Sequence, residues 1–156
     1  MIRIMFVCHG NICRSPMAEY ILKHMAKERG VLDRLIVQSS ATSTEEIWGN
    51  VGNPVYPPIR AELTRRGVPC GDHRAVQLKR SDYENYDLFI CMDGANVCNA
   101  ERIFGGDPEG KIRKLMDYTP RGGDVADPWY SRKFNVAFED IREGCAALLK
   151  AIFGEI

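Results

Sequence analysis

Short apolar runs alternate with stretches of helical periodicity along the chain. Four runs have the length and branched side chains of buried strands: residues 2–7, 35–37, 88–92 and 112–116. Residues 134–152 predict the clearest helix, because their apolar side chains fall on one stripe at helical spacing. This alternation predicts an α/β fold with a parallel sheet wrapped by helices. In such folds ligands bind beyond the carboxyl ends of the strands.

Capping residues predict where the helices begin and end. Ser15 followed by Pro16 predicts a helix start, with the serine hydroxyl as the N-cap. Gly30 is expected to end that helix, and Gly67 a short second one. Asp93 is placed to cap a helix after the third strand. The intervening segments 39–58 and 117–133 are rich in Gly and Pro and are expected to be mainly loop.

Composition supports one domain over residues 1–156. Hydrophobic residues make up 45% and charged residues 27%, which is ordinary for a globular protein. Lys and Arg total 21, as do Asp and Glu, so the net charge argues against a broadly basic nucleic-acid-binding protein. No apolar run approaches the roughly 20 residues of a membrane span, and no signal-peptide core is evident. We therefore expect a cytoplasmic monomer with no membrane or nucleic-acid partner.

The six cysteines are expected to be reduced thiols, because nothing in the sequence indicates export. No C-x-x-C spacing occurs, and the three histidines do not have zinc-finger spacing. We therefore expect no metal site.

The segment between the first strand and the first helix has the features of an oxyanion-binding loop. It contains the pattern C-x5-R, with Cys8 and Arg14 at its ends and Gly10 and Asn11 between them. A tight loop that enters a helix directs several backbone N–H groups inward, and the helix dipole adds positive charge. The Arg14 guanidinium adds donors in a geometry that suits phosphate.

The same surroundings favour a thiolate at Cys8, because helix N-termini and nearby cations stabilise the ionised form of cysteine. A nucleophile beneath a bound phosphate predicts phosphoryl transfer through a cysteinyl-phosphate. Ser15 is placed to donate a hydrogen bond to the sulfur. Such chemistry also needs a proton donor for the leaving oxygen. The long loop offers Asp117, Asp124 and Asp127, and Asp127 is preferred because Pro128 follows it with two aromatic residues that can line a ring pocket.

These pieces together resemble the low-molecular-weight protein tyrosine phosphatase family. The matching segments are VCHGNICRSP at 7–16, SSATS at 39–43, ICMD at 90–93 and DPWY at 127–130. The resemblance implies a single flavodoxin-like domain, a four-stranded parallel sheet with helices on both faces. It implies a phosphotyrosine-containing protein or peptide as substrate and no cofactor. It also implies Cys8 as nucleophile, Arg14 as phosphate clamp and Asp127 as general acid and base.

Further roles follow from the same resemblance. The residues expected to bind substrate are His9, Gly10, Asn11, Ile12, Cys13, Ser15, Trp48, Trp129 and Tyr130. Hydrogen bonds of Asn11, Ser15, Ser39 and His73 are expected to hold the loop, with Asp93 supporting it. The resemblance also implies a reversible Cys8–Cys13 disulfide that protects the nucleophile.

Two departures from the family pattern concern aromatic residues. Segment 44–54 is longer than the usual family loop, which supplies an aromatic wall of the pocket, and Trp48 is the candidate for that wall here. Trp129 replaces a more usual tyrosine in the acid loop, which keeps an aromatic side chain and leaves Tyr130 as the tyrosine of that segment.

Three other functions are compatible with parts of the pattern. An arsenate reductase would use the same cradle with two further cysteines, and Cys91 and Cys98 have a resembling spacing. A protein-arginine phosphatase of the same family would carry threonine where Ile12 stands, and a bulky aliphatic side chain favours an aromatic ester. A phosphate-binding module without catalysis would not require both Cys8 and Asp127.

Overall fold

The computed structural model describes residues 1–154. The six strands are β1 (Ile2–Cys8), β2 (Leu35–Ala41), β3 (Ile47–Trp48), β4 (Val51–Gly52), β5 (Leu88–Cys91) and β6 (Ile112–Lys114). The six α-helices are α1 (Arg14–Arg29), α2 (Pro57–Arg65), α3 (Asp82–Asn85), α4 (Gly94–Phe104), α5 (Pro128–Ser131) and α6 (Phe134–Phe153). Two 3₁₀ turns, Leu32–Arg34 and Leu115–Tyr118, precede β2 and follow β6.

Four strands form one parallel sheet in the order β2-β1-β5-β6. The chain leaves β1 in one direction to reach β2 and later crosses to the other side of β1 to form β5. The loop after β1 therefore lies at a point where the strand order reverses, beyond the carboxyl ends of the strands, which is where parallel sheets bind ligands. This architecture confirms the predicted fold class.

Alternating side chains of β1 supply both faces of the sheet. Ile4 and Phe6 point into a core shared with α1, α2 and α6, whereas Met5 and Val7 join a second cluster with Phe89 and residues of α4. Helices therefore cover both faces. α6 packs along α1, and the Cys145 thiol of α6 lies 3.8 Å from a carbonyl oxygen of α1. The apolar stripe predicted for residues 134–152 packs against α1, α2 and the 3₁₀ turn Leu115–Tyr118.

Several helix boundaries confirm the sequence prediction, and one does not. Gly30 ends α1 in the left-handed conformation, and Asp93 caps α4 in a reciprocal capping box with Asn96. The prediction that Ser15 caps α1 is wrong. The helix begins at Arg14 after Cys13, and the Ser15 hydroxyl bonds to the Cys8 sulfur instead of to the backbone of its own helix.

The predicted loops contain more regular structure than their composition indicates. β2 continues to Ala41 because its polar residues pair with β1 up to the Cys8–Ala41 register. The two-residue strands β3 and β4 form a small hairpin inside the predicted loop 39–58, and α5 forms one turn inside 117–133. Within residues 1–154, no helix has the length and apolar character needed to cross a membrane.

Candidate active site

The loop between β1 and α1 wraps around the Cys8 sulfur. The sulfur lies within 3.3 Å of the Asn11 backbone nitrogen, 3.4 Å of the Ser15 backbone nitrogen and 2.9 Å of the Ser15 hydroxyl. Asn11 adopts a left-handed backbone with φ of 57°, which asparagine tolerates better than most residues. The turn at Asn11 is what brings its own N–H group back toward the sulfur.

Hydrogen bonds of Asn11 hold the Ser15 hydroxyl beside the Cys8 sulfur. The side-chain oxygen Oδ1 of Asn11 accepts from the Val76 backbone N–H at 3.0 Å and faces His73 Nε2 at 2.7 Å. Because Oδ1 can only accept, this ring nitrogen carries a proton. The side-chain nitrogen Nδ2 of Asn11 then donates to Ser15 Oγ at 2.7 Å. The Ser15 oxygen accepts that bond and keeps its own proton available for the sulfur, which as a thiolate can only accept. The Ser15 hydroxyl and two backbone N–H groups therefore surround the Cys8 sulfur.

A buried carboxylate lies behind His73. Glu19 accepts a 2.6 Å hydrogen bond from Ser39 Oγ and pairs with Lys23 at 2.6 Å. The His73 ring lies 3.3 Å from Ser39 Oγ and 3.8 Å from Glu19. Burial lowers the pKa of His73, with Glu19 opposing and Lys23 adding to that effect. The imidazole is therefore neutral at neutral pH and acts as a hydrogen-bond donor to Asn11.

Arg14 is almost completely buried at the base of the loop. Its Nη1 donates to Asp93 Oδ2 and to the Val125 carbonyl, each at 2.8 Å, and its Nη2 lies 3.6 Å from Asp127 Oδ2. Burial by itself would lower the pKa of Arg14, but the Cys8 sulfur and the two carboxylates together raise it. The guanidinium therefore stays charged, with its plane held on one edge by Asp93 and Val125.

Asp127 begins a one-turn helix at the edge of the same site. Its Oδ1 accepts the Trp129 backbone N–H at 3.0 Å, and Pro128 occupies the first helical position. The other end of this segment is anchored where Val125 donates its backbone N–H to the Met92 carbonyl at 2.9 Å. The carboxylate thus faces Arg14 with one oxygen while the other is held by its own helix.

These residues enclose one cavity. Its walls are formed by residues of the β1–α1 loop, of the segment before β3 and of α5: Cys8, His9, Gly10, Ile12, Cys13, Arg14, Glu45, Glu46, Asp127, Trp129 and Tyr130. His9 lies 3.0 Å from Glu45, and Asn53 holds one carboxylate oxygen of Glu46 at 2.6 Å. A Cβ at Gly10 would lie 3.2 Å from Glu46, so glycine permits this close approach.

Most of the predicted site residues meet here: some line the cavity, and others lie behind its wall. Cys8, His9, Gly10, Ile12, Cys13, Arg14, Asp127, Trp129 and Tyr130 line the cavity. Asn11, Ser15, Ser39, His73 and Asp93 lie behind its wall and contact lining residues or one another. Trp48 is not brought to the cavity: β3 carries its side chain into solvent, where it is 73% exposed. Glu45 and Glu46 occupy the wall that was expected to be aromatic.

The cysteines other than Cys8 differ in their distance from the cavity. Cys13 lines it as a thiol, and burial, with Cys8 and Asp127 adding to the effect, raises its pKa. Cys91 is completely buried, which raises its pKa, and Cys98 is exposed on α4. No group of three or more His, Cys, Asp and Glu side chains in the described part of the chain is arranged to hold a metal ion.

Sequence reasoning missed three contributors to the site: Glu19, the Val125 carbonyl and Tyr56. Glu19 lies on α1 one turn after the loop, but its partners Ser39 and His73 are distant in sequence. The Val125 carbonyl is itself far from the loop, and no local motif marks either group. Tyr56 contacts Trp129, with ring centroids 4.7 Å apart. The one available signal was the position of Tyr56 immediately before the Pro57–Pro58 helix start.

Comparisons with known proteins agree with this geometry. The family model described as low molecular weight phosphotyrosine protein phosphatase matches residues 3–155. The low-molecular-weight protein-tyrosine-phosphatase YfkJ of Bacillus subtilis is 33% identical over 97% of this chain and 96% of its own length. Its crystal structure superposes with a TM-score of 0.89 and covers 97% of this chain and 94% of that one.

Two further similarities show the breadth of the match. The low molecular weight phosphotyrosine protein phosphatase of Gallus gallus is 33% identical over 95% of this chain and 91% of its own length. A structure of the YwlE arginine phosphatase, with a serine in place of cysteine 7 and that serine phosphorylated, has a TM-score of 0.81 at 25% identity. It covers 97% of this chain and 95% of the other.

Proposed function

Because the chain belongs to the low-molecular-weight phosphotyrosine protein phosphatase family, we propose that it is a protein tyrosine phosphatase that hydrolyses phosphotyrosine and small aryl phosphate monoesters. The observation that carries this proposal is the Cys8 sulfur, which accepts three hydrogen bonds on the floor of a cavity lined by Arg14 and Asp127. A nucleophile, a cation and a carboxylate facing one cavity are the groups that transfer of a phosphoryl group requires.

In the first step the Cys8 thiolate attacks phosphorus, an S–P bond forms and the ester P–O bond breaks. The leaving phenolate takes a proton from the carboxyl of Asp127. The backbone N–H groups of the loop and the Arg14 guanidinium bind the equatorial oxygens, where negative charge is spread in the transition state. The products of this step are the free phenol and a cysteinyl-phosphate.

In the second step Asp127, now ionised, accepts a proton from a water molecule. The oxygen of that water attacks phosphorus, the S–P bond breaks and inorganic phosphate is released. The departing sulfur regains its negative charge, which the Ser15 hydroxyl and the two backbone N–H groups stabilise. The chain returns to its starting state with Asp127 protonated.

The walls of the cavity favour an aromatic ester. Ile12 and Trp129 both line it and provide apolar surface for a flat ring. This lining supports a phosphotyrosine side chain, and hence a phosphoprotein substrate, over the more polar phosphoguanidinium group. A protein-arginine phosphatase is for this reason the second candidate.

Arsenate reduction receives less support from the cysteines. An arsenate reductase would require Cys91 to react as one of its two further cysteines. The Cys91 side chain is completely buried in the cluster beneath α4, and that burial raises the pKa of its thiol. The Cys8–Cys13 disulfide remains a prediction from the family resemblance. Because Cys8 must be reduced to react, we also propose that the protein acts in a reducing compartment, the cytoplasm. We propose the monomer as the active form.

The proposal is tested by phosphate release from p-nitrophenyl phosphate and from a phosphotyrosine peptide, with a phosphoarginine peptide as comparison. We expect no turnover by Cys8→Ser, and a loss of about 10²- to 10⁴-fold in peptide turnover by Asp127→Ala, the range typical of general acids. Glu84→Gln, an exposed change on α3, serves as the matched control. Absence of wild-type turnover under reducing conditions would refute the proposal. Faster hydrolysis of phosphoarginine would favour the second candidate, and undiminished turnover by Cys8→Ser would exclude the cysteinyl-phosphate.

A further inference from the structure

Tyr56 connects the two loops that carry the reacting groups. It is the residue before α2, and its backbone N–H donates to the Ile12 carbonyl of the β1–α1 loop at 2.9 Å. The main chain of Tyr56 is therefore attached to the loop that holds Cys8. Its side chain packs against the main hydrophobic core, which limits the directions in which the ring can move.

The side chain of Tyr56 contacts the other loop at two points. Its ring lies against the indole of Trp129, with centroids 4.7 Å apart and planes inclined by 47°. Its hydroxyl accepts a hydrogen bond from Arg132 Nη1 at 2.9 Å. The ring of Phe134 at the start of α6, with its centroid 6.2 Å from that of Tyr56, completes the aromatic group.

Both contacts bear on the turn that presents Asp127. Trp129 donates its backbone N–H to the Asp127 carboxylate. A shift of Trp129 therefore moves the donor that orients this carboxylate. Arg132 closes the same turn by donating its backbone N–H to the Pro128 carbonyl at 2.9 Å. It adopts a left-handed conformation with φ of 60°, which costs a non-glycine residue energy and must be offset by its contacts.

We propose that Tyr56 is a positioning residue that sets the placement of the Asp127 carboxylate relative to the Cys8 loop. This inference rests on the proposed function, because it concerns the general acid of that reaction. Tyr56 does not line the cavity, so it acts through Trp129 and Arg132 rather than on the substrate.

Leaving groups of different basicity distinguish this role from a general structural one. Phenyl phosphate releases a phenol whose pKa resembles that of tyrosine, ~10, so its cleavage depends on the proton from Asp127. The phenolate of 2,4-dinitrophenyl phosphate is a far weaker base and leaves without a proton. Misplacement of the acid therefore slows the first substrate much more than the second.

The test measures kcat/KM for both substrates in Tyr56→Ala, Tyr56→Phe, Asp127→Ala and the double variant of Tyr56→Ala with Asp127→Ala. We expect Tyr56→Ala to lower kcat/KM for phenyl phosphate about tenfold, since displacement of a catalytic group by 1 Å can cost up to ~10²-fold. The loss for 2,4-dinitrophenyl phosphate should stay below about threefold. Tyr56→Phe keeps the ring contact and should stay within about threefold of wild type for both substrates.

The double variant shows whether Tyr56 acts through the acid. Once Asp127 is absent, Tyr56→Ala should change phenyl phosphate hydrolysis by less than about threefold, because coupled residues do not contribute additively. Tyr86→Ala is the matched control: Tyr86 is also partly buried, with its ring 5.9 Å from that of Phe89 in the second cluster. It should leave the ratio of the two substrates unchanged.

The outcomes separate this inference from the proposed function. Equal losses for both substrates in Tyr56→Ala, or a full additional loss in the double variant, would overturn the positioning role. Unchanged phenyl phosphate hydrolysis in Tyr56→Ala, alongside a large loss in Asp127→Ala, would also overturn it while leaving the phosphatase mechanism standing. If Asp127→Ala itself has no effect on phenyl phosphate, the failure lies in the proposed mechanism instead.

Discussion

We predict that Ser15→Ala will make breakdown of the cysteinyl-phosphate the slow step of turnover. The hydroxyl of Ser15 is completely buried and has two partners: it accepts from the Asn11 amide at 2.7 Å and donates to the Cys8 sulfur at 2.9 Å. Alanine removes the hydroxyl and adds nothing in its place. The sulfur keeps its two longer bonds, at 3.3 and 3.4 Å, from backbone N–H groups.

Two energies follow from this geometry. A hydrogen bond to a charged group contributes about 1.5–3 kcal/mol, so its loss from a departing thiolate slows that step roughly 10- to 150-fold, at 1.36 kcal/mol per tenfold. The amide nitrogen of the buried Asn11 also loses its acceptor. An unsatisfied buried donor costs about 1–3 kcal/mol of folding free energy.

Rapid-mixing measurements with p-nitrophenyl phosphate detect the predicted change of step. The first turnover should release p-nitrophenol in an amount equal to that of the enzyme, followed by slow steady turnover. Ser40→Ala is the control, because Ser40 is an equally buried serine whose hydroxyl has no hydrogen-bond partner. A Ser15→Ala variant with no burst and with the same steady rate as Ser40→Ala would refute the reasoning.

Three further predictions concern the surroundings of the site. Because the pKa of His73 is lowered in the folded state, the fold is more stable above about pH 6.5, the unperturbed value, than below it. In urea unfolding, the free energy of unfolding should therefore fall more between pH 7.5 and pH 5.5 for wild type than for His73→Gln. The carboxylates of Glu45 and Glu46 in the cavity wall should favour phosphotyrosine peptides with basic flanks, each contributing about 0.2–1 kcal/mol, as exposed pairs do; kcat/KM for peptides with basic and acidic flanks, in wild type and in the two glutamine variants, measures this. Gly52→Ala should destabilise by about 1–3 kcal/mol or more, because the added Cβ would lie 1.9 Å from the Ala75 carbonyl oxygen; thermal unfolding reports the loss.

Each of these has a control and an opposing result. Parallel pH curves for wild type and His73→Gln would show that this imidazole does not contribute to the pH dependence of stability. A flank preference that survives both glutamine substitutions and high salt would have another origin. Gly94→Ala is the control for Gly52→Ala, because a Cβ there meets open space. Equal destabilisation by the two alanines would remove the steric explanation.

The parts of the site that could be predicted from the sequence are those contained in short contiguous segments. Cys8 and Arg14 sit between a strand and a helix that their own neighbours predict, so their geometry is local. Asp127 was identifiable because the loop chemistry requires an acid and the Asp-Pro pair marks a turn. Where partners come from distant segments, spacing carries no information. The carboxylate of Glu19 and the ring of Tyr56 could be placed only by the packed structure.

The errors have the same physical origin. Trp48 was expected in the cavity wall because the corresponding loop of the resembling family supplies an aromatic wall of the pocket. The β3–β4 pairing instead directs its side chain outward and brings Glu46 against Gly10. Ser15 matches the preference for a helix cap, but the buried sulfur competes for its hydroxyl. Local preference was overridden where a tertiary contact offered a stronger partner.

The packing of α6 along α1 has a consequence for the nascent chain on the ribosome. α1 carries the helix end of the phosphate loop, and its apolar side is covered by α6, which is translated more than a hundred residues later. Until α6 is translated, that side of α1 is not covered by α6, and the helix that holds the β1–α1 loop lacks this packing contact. We therefore expect the cysteine to acquire its reactive surroundings only after α6, and the acid loop that directly precedes it, have both been translated.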